Sequence, residues 1–413
     1  MAPLALLAAV LIAARWIAQL SLELLNRRHV QAHAGAVPEA FRDTMDRPTY
    51  DRAVEYTLAR NRFGSIELTW STLVLFVVLF SGILPAAWNH WISLAGTSAW
   101  AGAAGLFLGG VILSLPSLPL DWWQQFRLEQ RFGFNTTTLG TWIVDRIKTL
   151  ALAAALGIPL IAFLLKLVEW TGSLWWLWGW GALMVFQGIM LVLAPVVIMP
   201  LFNKFTPLPD GTLKARLLDL ARRTGFVASS IEVMDGSRRS RHANAFFTGL
   251  GKFRKIVLFD TLISQLGEPE LEAVLAHEIG HYRLRHIPKL LAWSAVMTLG
   301  AFAAIAWLAG EPRFFAAFGF TATSVPVALL LFTLLSEAVT FWFSPLSHIL
   351  SRRFEYQADA YAAQAVGEFQ SLVRALRKLH EKNLSNLTPH PLYSGFYYSH
   401  PTLLEREAAL AKP

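Results

Sequence analysis

The chain has 413 residues, of which 54% are hydrophobic and 15% charged, with a mean hydropathy of +0.43; soluble domains carry about 25% charged residues. That balance excludes a purely soluble protein and describes membrane spans with a polar part attached. The lack of cysteine excludes disulfides, thiolate metal ligands and a catalytic thiol, and the net charge of +8 lies in loops, not in an aromatic-interleaved basic run of the kind that binds nucleic acid.

The first apolar segment covers about Ala2–Leu25. A cleaved signal peptide would carry its positive charge ahead of the apolar core. Here Arg27 and Arg28 follow it, so the segment reads as a first membrane helix. Arg15, near its middle, is costly in lipid and calls for protein or water around it. Further apolar runs of about 20 residues, enough to cross a bilayer, lie near Leu68–Trp88, Thr97–Leu118, Leu150–Val168, Leu174–Met199, Lys289–Leu308 and Val325–Leu346. The fourth span is short and holds Pro159, and the fifth opens on the tryptophans of an interfacial anchor. About seven spans are therefore expected.

Charge orients them. Arg27, Arg28, Arg42, Arg47, Arg52, Arg60 and Arg62 follow the first span, and Arg127, Arg131, Arg146 and Lys148 lie between the third and fourth. The segment between the fifth and sixth spans and the tail are also basic. On the opposite side, Asn89–Gly96 and Glu169–Ser173 have no Lys or Arg, and Gly310–Ser324 has only Arg313. The positive-inside rule then puts the N-terminus outside and the polar part in the cytoplasm. The Ala/Leu/Arg-rich composition, with no recognisable organelle signal, leans toward a bacterial inner membrane.

The expected organisation is 1–199 with five spans, a polar segment 200–288, two spans in 289–346, and a second polar segment 347–413. Ile231–Met234 and Lys255–Phe259 read as strands, and Asn244–Gly249 as another ending at a turn glycine. Glu270–Ala276 reads as a helix running into His277-Glu278-Ile279-Gly280-His281. On a helix the two histidines, four residues apart, share one face where a single zinc ion can take both. Glu278 stands beside it, placed to deprotonate a zinc-bound water, which is the HExxH pattern of zinc metallopeptidases. The blander alternative is two surface histidines and a solvated glutamate.

Such a site needs one more protein ligand. His286, five residues past His281, points off the ligand face of a continuous helix and reads as a helix-end residue. Glu355 is the better candidate. Asp359, four residues on, shares its face and suits the orientation of a ligand histidine. Spacing alone equally allows an exposed helix face on which both acids pair with Arg352 and Arg353.

The HEIGH stretch and Arg352-Arg353-Phe354-Glu355-Tyr356-Gln357-Ala358-Asp359 together resemble the integral-membrane zinc metalloendopeptidases of the type-I CAAX prenyl protease family. Arg127–Asn135, Pro200–Phe205, His242–Phe246, and Ser399-His400-Pro401 with Arg406 resemble further motifs of that family, in its order. The resemblance implies a mainly α polytopic membrane protein with about seven helices around a water-filled chamber. A cytoplasmic, zincin-type (gluzincin-like) α+β catalytic domain, built from two segments, closes it. It implies one zinc ion per chain on His277, His281 and Glu355, with Asp359 behind a ligand histidine and Glu278 as general base. It points to His400 as the donor to the developing oxyanion and to Asn244, with Ala245 and Phe246, as a substrate-binding strand edge. Arg406 is left between the substrate, Asp359 and the tail. Arg15, Glu67, Gln187 and Glu337 would face the chamber.

The implied substrate is a peptide or protein, prenylated or membrane-associated; no nucleic acid and no obligate protein partner is expected. Tyr356 stands where the family commonly has phenylalanine. A heat-shock-type quality-control protease shares the zinc motif but has fewer spans and lacks the Phe132-Gly133-Phe134-Asn135 loop. A transporter or inactive scaffold has no use for Glu278.

Overall fold

The computed structural model describes residues 3–227, 229–248 and 255–411. The expected turn glycine Gly249, and the outer limits Ala2 and Pro413, lie outside them. Long apolar runs, interrupted by Gly, Pro and short polar stretches, give a mainly helical chain. The membrane part comprises α1 (Pro3–His33), α2 (Arg47–Phe80), α3 (Ile83–Ala95), α4 (Ala99–Ser114), α5 (Leu118–Trp123), α6 (Leu139–Thr171), α7 (Trp175–Leu193) and α8 (Met199–Phe202). Helix starts follow capping chemistry. The Asp46, Ser98 and Thr138 side chains accept from backbone N–H groups in the first turns of α2, α4 and α6.

Between the membrane helices lies the first polar segment. It holds β1 (Phe205–Pro207), α9 (Thr212–Arg223), β2 (Ser230–Met234), β3 (Ala245–Thr248), β4 (Lys255–Phe259), α10 (Asp260–Gln265) and α11 (Glu268–Arg283). α12 (His286–Ala309) and α14 (Val325–Thr340), joined through the short α13 (Pro312–Ala317), belong to the apolar stretches long enough to cross a membrane. α15 (Ser344–Val366), α16 (Gln370–Lys382), α17 (Pro391–Tyr397) and α18 (Leu403–Leu410) complete the chain.

Among the described residues, six helical stretches are long and apolar enough to cross a membrane. One of them, Leu139–Phe202, runs 64 residues. It folds back at Gly172, φ +56°, so that α6 and α7 pack side by side and this one stretch is long enough to cross twice. The elements differ from the expected spans in detail. The second span was expected to continue to Trp88, but the chain breaks at Gly82, φ +81°, and Trp88 belongs to α3. Lipid-facing residues such as Leu7, Val10, Trp178, Val185 and Ile189 are exposed, as an apolar solvent requires. Phe314, Phe315, Phe318 and Phe320 close one end of the bundle against Ile12, Leu79 and Leu331.

Inside the bundle are cavities with polar and charged groups in their walls. One of about 480 Å³ is lined by Arg15, Gln19, Glu67 and Glu337. A second of about 730 Å³ shares Glu23, Gly64 and Tyr397 with it and reaches His400 and Arg406. Arg15 donates to Glu337 at 2.5 Å and to Gln19 at 2.9 Å, so the intramembrane charge is paired.

The polar segments build one layer of helices on a four-stranded sheet of order β1-β2-β4-β3. β2 and β4 are parallel, with Ile231 opposite Ile256, and the outer strands are antiparallel to their neighbours. Ile231, Ile256 and Leu258 pack on Leu217 and Leu220 of α9 and on Leu271, Leu275 and Ile279 of α11. Each such buried side chain contributes about 1.5–3 kcal/mol. Leu372 and Leu376 of α16 close the same core from the second polar segment.

Candidate active site

α11 positions the first half of the site. Its start is held by Pro269 and by Glu270, whose carboxylate accepts from the Gly267 N–H at 2.8 Å and pairs with Lys378 at 2.8 Å. The apolar residues of α11 face the sheet, which leaves His277 and His281 aimed at α15. Gly280 sets the approach. A Cβ there would lie 3.1 Å from both the Cα and the carbonyl oxygen of Ala358, a tighter contact than side chains usually make, so glycine lets the two backbones come this close without displacement.

This approach brings His277, His281 and Glu355 together, with one ligand atom from each within 4.8 Å of the others. The two imidazole Nε2 atoms stand 3.1 Å apart. Glu355 lies 3.6 Å from His277 Nε2 and 3.3 Å from His281 Nε2. Glu355 is only 3% exposed and Asp359 1%, so the exposed-face alternative is not what the chain adopts; Arg352 instead donates to the carbonyls of Gly395 and Tyr398. Three donors, two imidazole nitrogens and one carboxylate, face a common point, as a tetrahedral metal site with an open position requires. Glu355 Oε2 is buried and has no well-aligned hydrogen bond, although His400 Nδ1 stands 2.8 Å away. A carboxylate oxygen left over in this way fits a cation.

Each of the two histidines is backed at its other nitrogen. His277 Nδ1 lies 2.8 Å from Asp359 Oδ1, and Arg406 grips Asp359 through Nε at 2.7 Å and through Nη2. Arg406 is 7% exposed and bonded to Asp359, so its guanidinium holds the carboxylate that holds the histidine. His281 Nδ1 lies 3.0 Å from His286 Nδ1. On a continuous helix His286 would point off the face of His277 and His281. It is indeed the first residue of α12, but Arg285, φ +55°, turns the chain so that its ring returns to His281.

Charge follows the geometry. Burial alone would push the Glu355 carboxyl up, but His281, His400 and His277 around it hold it well below the usual range. Burial likewise opposes ionisation of Asp359, and His277 and Arg406 outweigh it and hold it low. Glu278 is the opposite case. Burial pushes its carboxyl up, with His277 and His281 opposing, so a base sits here with raised proton affinity. The neighbouring Glu355 carboxylate raises the proton affinity of His400 against the effect of burial.

Asn244, Ala245 and Phe246 lie at the sheet edge. Asn244 O accepts from Phe259 N at 3.1 Å, which assigns the inward backbone groups of the antiparallel ladder to Asn244 and Phe246. Those of Ala245 and Phe247 point outward. The Asn244 side chain accepts from the Ala245 N–H at 2.8 Å, capping the first outward donor. Phe247 packs its ring on Phe226 and Tyr282, while Phe246 meets Phe259 on the other face. The segments around 127–135, 200–205 and 242–246 converge beside this edge. Asn135 pairs with Ser240, Arg239 bonds Asp145 at 2.8 and 3.1 Å and Asn203 at 3.0 Å, and His242 stacks on Phe134 with centroids 4.3 Å apart.

Comparison with known proteins agrees with this anatomy. The family described as "CAAX prenyl protease N-terminal, five membrane helices" matches residues 26–204, and "Peptidase family M48" matches 207–413. The chain is 37% identical to CAAX prenyl protease 1 of Saccharomyces cerevisiae, covering 95% of this chain and 93% of that one. It is 32% identical to the CAAX prenyl protease 1 homolog of Homo sapiens, covering 93% and 90%. The crystal structure of Ste24p from S. mikatae is similar with a TM-score of 0.89 at 36% identity, covering 98% of both chains.

Proposed function

Because the chain belongs to the CAAX prenyl protease 1 family of M48 peptidases, and so is a multi-pass membrane metallopeptidase, we propose that it is a zinc endopeptidase cutting prenylated or other membrane-associated polypeptides that enter its chamber. The observation that carries this reading is the convergence of His277, His281 and Glu355 within 4.8 Å, directly beside Glu278. Two imidazoles and a carboxylate, with no thiolate, suit zinc in a peptidase. When bound, zinc supplies Lewis acidity, making water nucleophilic near neutral pH and polarising the scissile carbonyl.

The chain's own residues do the rest. Glu278 takes a proton from the attacking water and returns it to the leaving amine, a role its raised proton affinity supports. His400, at the cavity wall, donates to the oxyanion as charge develops there. The outward carbonyl of Ala245 and the outward backbone groups of Phe247 hold an extended substrate as an added strand, with Asn244, which caps the Ala245 N–H, at its end. Asp359 and Arg406 fix His277. The arginine-rich loops support a cytoplasmic catalytic face, and the Ala/Leu/Arg-rich composition supports a bacterial inner membrane as its place.

The test is cleavage of a farnesylated CAAX peptide and its unprenylated twin by the purified chain in detergent, with Glu278→Gln as control. Cutting lost in the variant while zinc stays bound is the expected result. The ratio between the peptides reads out the lipid. No cutting of either by zinc-loaded protein overturns the CAAX reading in favour of quality-control proteolysis or a scaffold.

A further inference from the structure

Resting on the metal-site reading above, we propose that His286 is a positioning residue: it accepts the Nδ1 proton of His281, donates its own Nε2–H to Gln357, and so locks His281 with Nε2 turned to the metal. His281 Nδ1 and His286 Nδ1 stand 3.0 Å apart, and His286 Nε2 stands 3.0 Å from Gln357 Oε1. The proton inventory leaves one arrangement. A His281 that offers Nε2 to a cation must carry its proton on Nδ1. His286 must then present a lone pair at Nδ1 and keep its own proton on Nε2. The Gln357 carbonyl oxygen is an acceptor that suits that proton. A doubly protonated His286 would set two N–H groups against each other.

The ring is fixed as a designed support would be. It is 1% exposed and stacks on Phe354 with centroids 4.2 Å apart and planes 9° from parallel. Arg285, at φ +55° and ψ +40°, adopts a left-handed conformation that non-glycine residues rarely take, and this turn is what brings His286 back to His281. The two ligand histidines thus have supports of different charge. His277 is backed by a carboxylate and His281 by a neutral imidazole, which orients it without adding charge. Both supports trace to α15, through Asp359 on one side and through Phe354 and Gln357 on the other.

The experiment measures metal affinity of the full chain in detergent by competition with a chromophoric chelator, alongside the visible bands of the cobalt-loaded form. His286→Phe keeps an aromatic ring on Phe354 and removes the acceptor. His286→Asn places an amide oxygen where Nδ1 stood. The Phe variant is expected to bind metal about 10–100-fold more weakly with altered cobalt bands, and the Asn variant to recover most of that loss. Gln357→Leu, which leaves His286 in place, is expected to weaken binding in the same direction and decides the question if the Phe variant does not fold. Wild-type affinity in the Phe or Leu variant, or equal losses in Phe and Asn, overturns the relay in favour of packing. A wild type that takes up no metal overturns the metal-site reading itself, an outcome distinct from either.

Discussion

Asp359 binds two partners at once: Oδ1 lies 2.8 Å from His277 Nδ1, and Oδ2 accepts from Arg406 Nε at 2.7 Å. Removing its charge therefore acts at both ends. In Asp359→Asn, His277 loses an anionic support and Arg406, buried, loses its hydrogen-bonded counter-ion and keeps only Glu355 at 3.8 Å. Metal affinity is predicted to fall about 10–100-fold and stability by about 3–5 kcal/mol. Chelator competition and thermal melting on one preparation check both. Unchanged metal affinity would show that Asp359 does not support His277.

Gly280 tests the helix contact. Gly280→Val puts a branched side chain where a Cβ alone would already stand 3.1 Å from the Ala358 backbone. Backbone cannot rotate aside, so α15 must shift and carry Glu355 with it. A loss of about 1–3 kcal/mol is expected, accompanied by weaker metal binding. A variant that melts like the wild type would mean that the helices yield freely here.

The carboxylates predict an acid limb. Glu355 and Asp359 are held below their ordinary values of 4.5 and 3.8, so the folded state binds fewer protons than the unfolded state as pH falls. Their contribution is present above about pH 4.5 and is progressively lost below it. In metal-free protein, melting temperature should drop below that pH, and Glu355→Gln should flatten the drop. An identical acid limb in wild type and variant rules the assignment out.

The edge strand separates binding from folding. Ala245→Pro removes an N–H that faces away from β4 and is held by the Asn244 side chain, so the ladder survives while the Asn244 end of the edge offered to a substrate strand is disturbed. KM should rise with melting temperature little changed. Steady-state kinetics that leave KM at the wild-type value would remove β3 from the binding site.

Much of this was legible in the residues themselves. His277, Glu278 and His281 follow from spacing on one helix; periodicity puts the acids at 355 and 359 on one face but equally allows an exposed pair, and the family resemblance is what singles them out. β2 and β4 show as short β-branched and apolar runs. What escaped depended on chain reversals that periodicity does not encode. His286 points away from the ligand face only while the helix continues, and the turn at Arg285 ends it. β1 is three residues long and contains Pro207, so it carries no alternation to read. The Asn244 cap on Ala245 depends on which backbone groups the ladder consumes, a property of register and not of composition.

Val325–Val366 forms one helical stretch of 42 residues, only retuned by a tight turn at Phe341–Phe343, and the division expected after Leu346 falls inside α15. The tail is tied back in the same way. His390 N donates to Asn26 Oδ1 at 3.1 Å and Tyr393 OH to Glu23 at 3.4 Å, both on α1. Residues 207–413 therefore make up a peptidase in sequence but not an excisable one. Severing the last span would cut into the rod that carries Glu355, and deleting the first would unmoor the segment leading to His400. The scissile machinery is anatomically indivisible from its bilayer body.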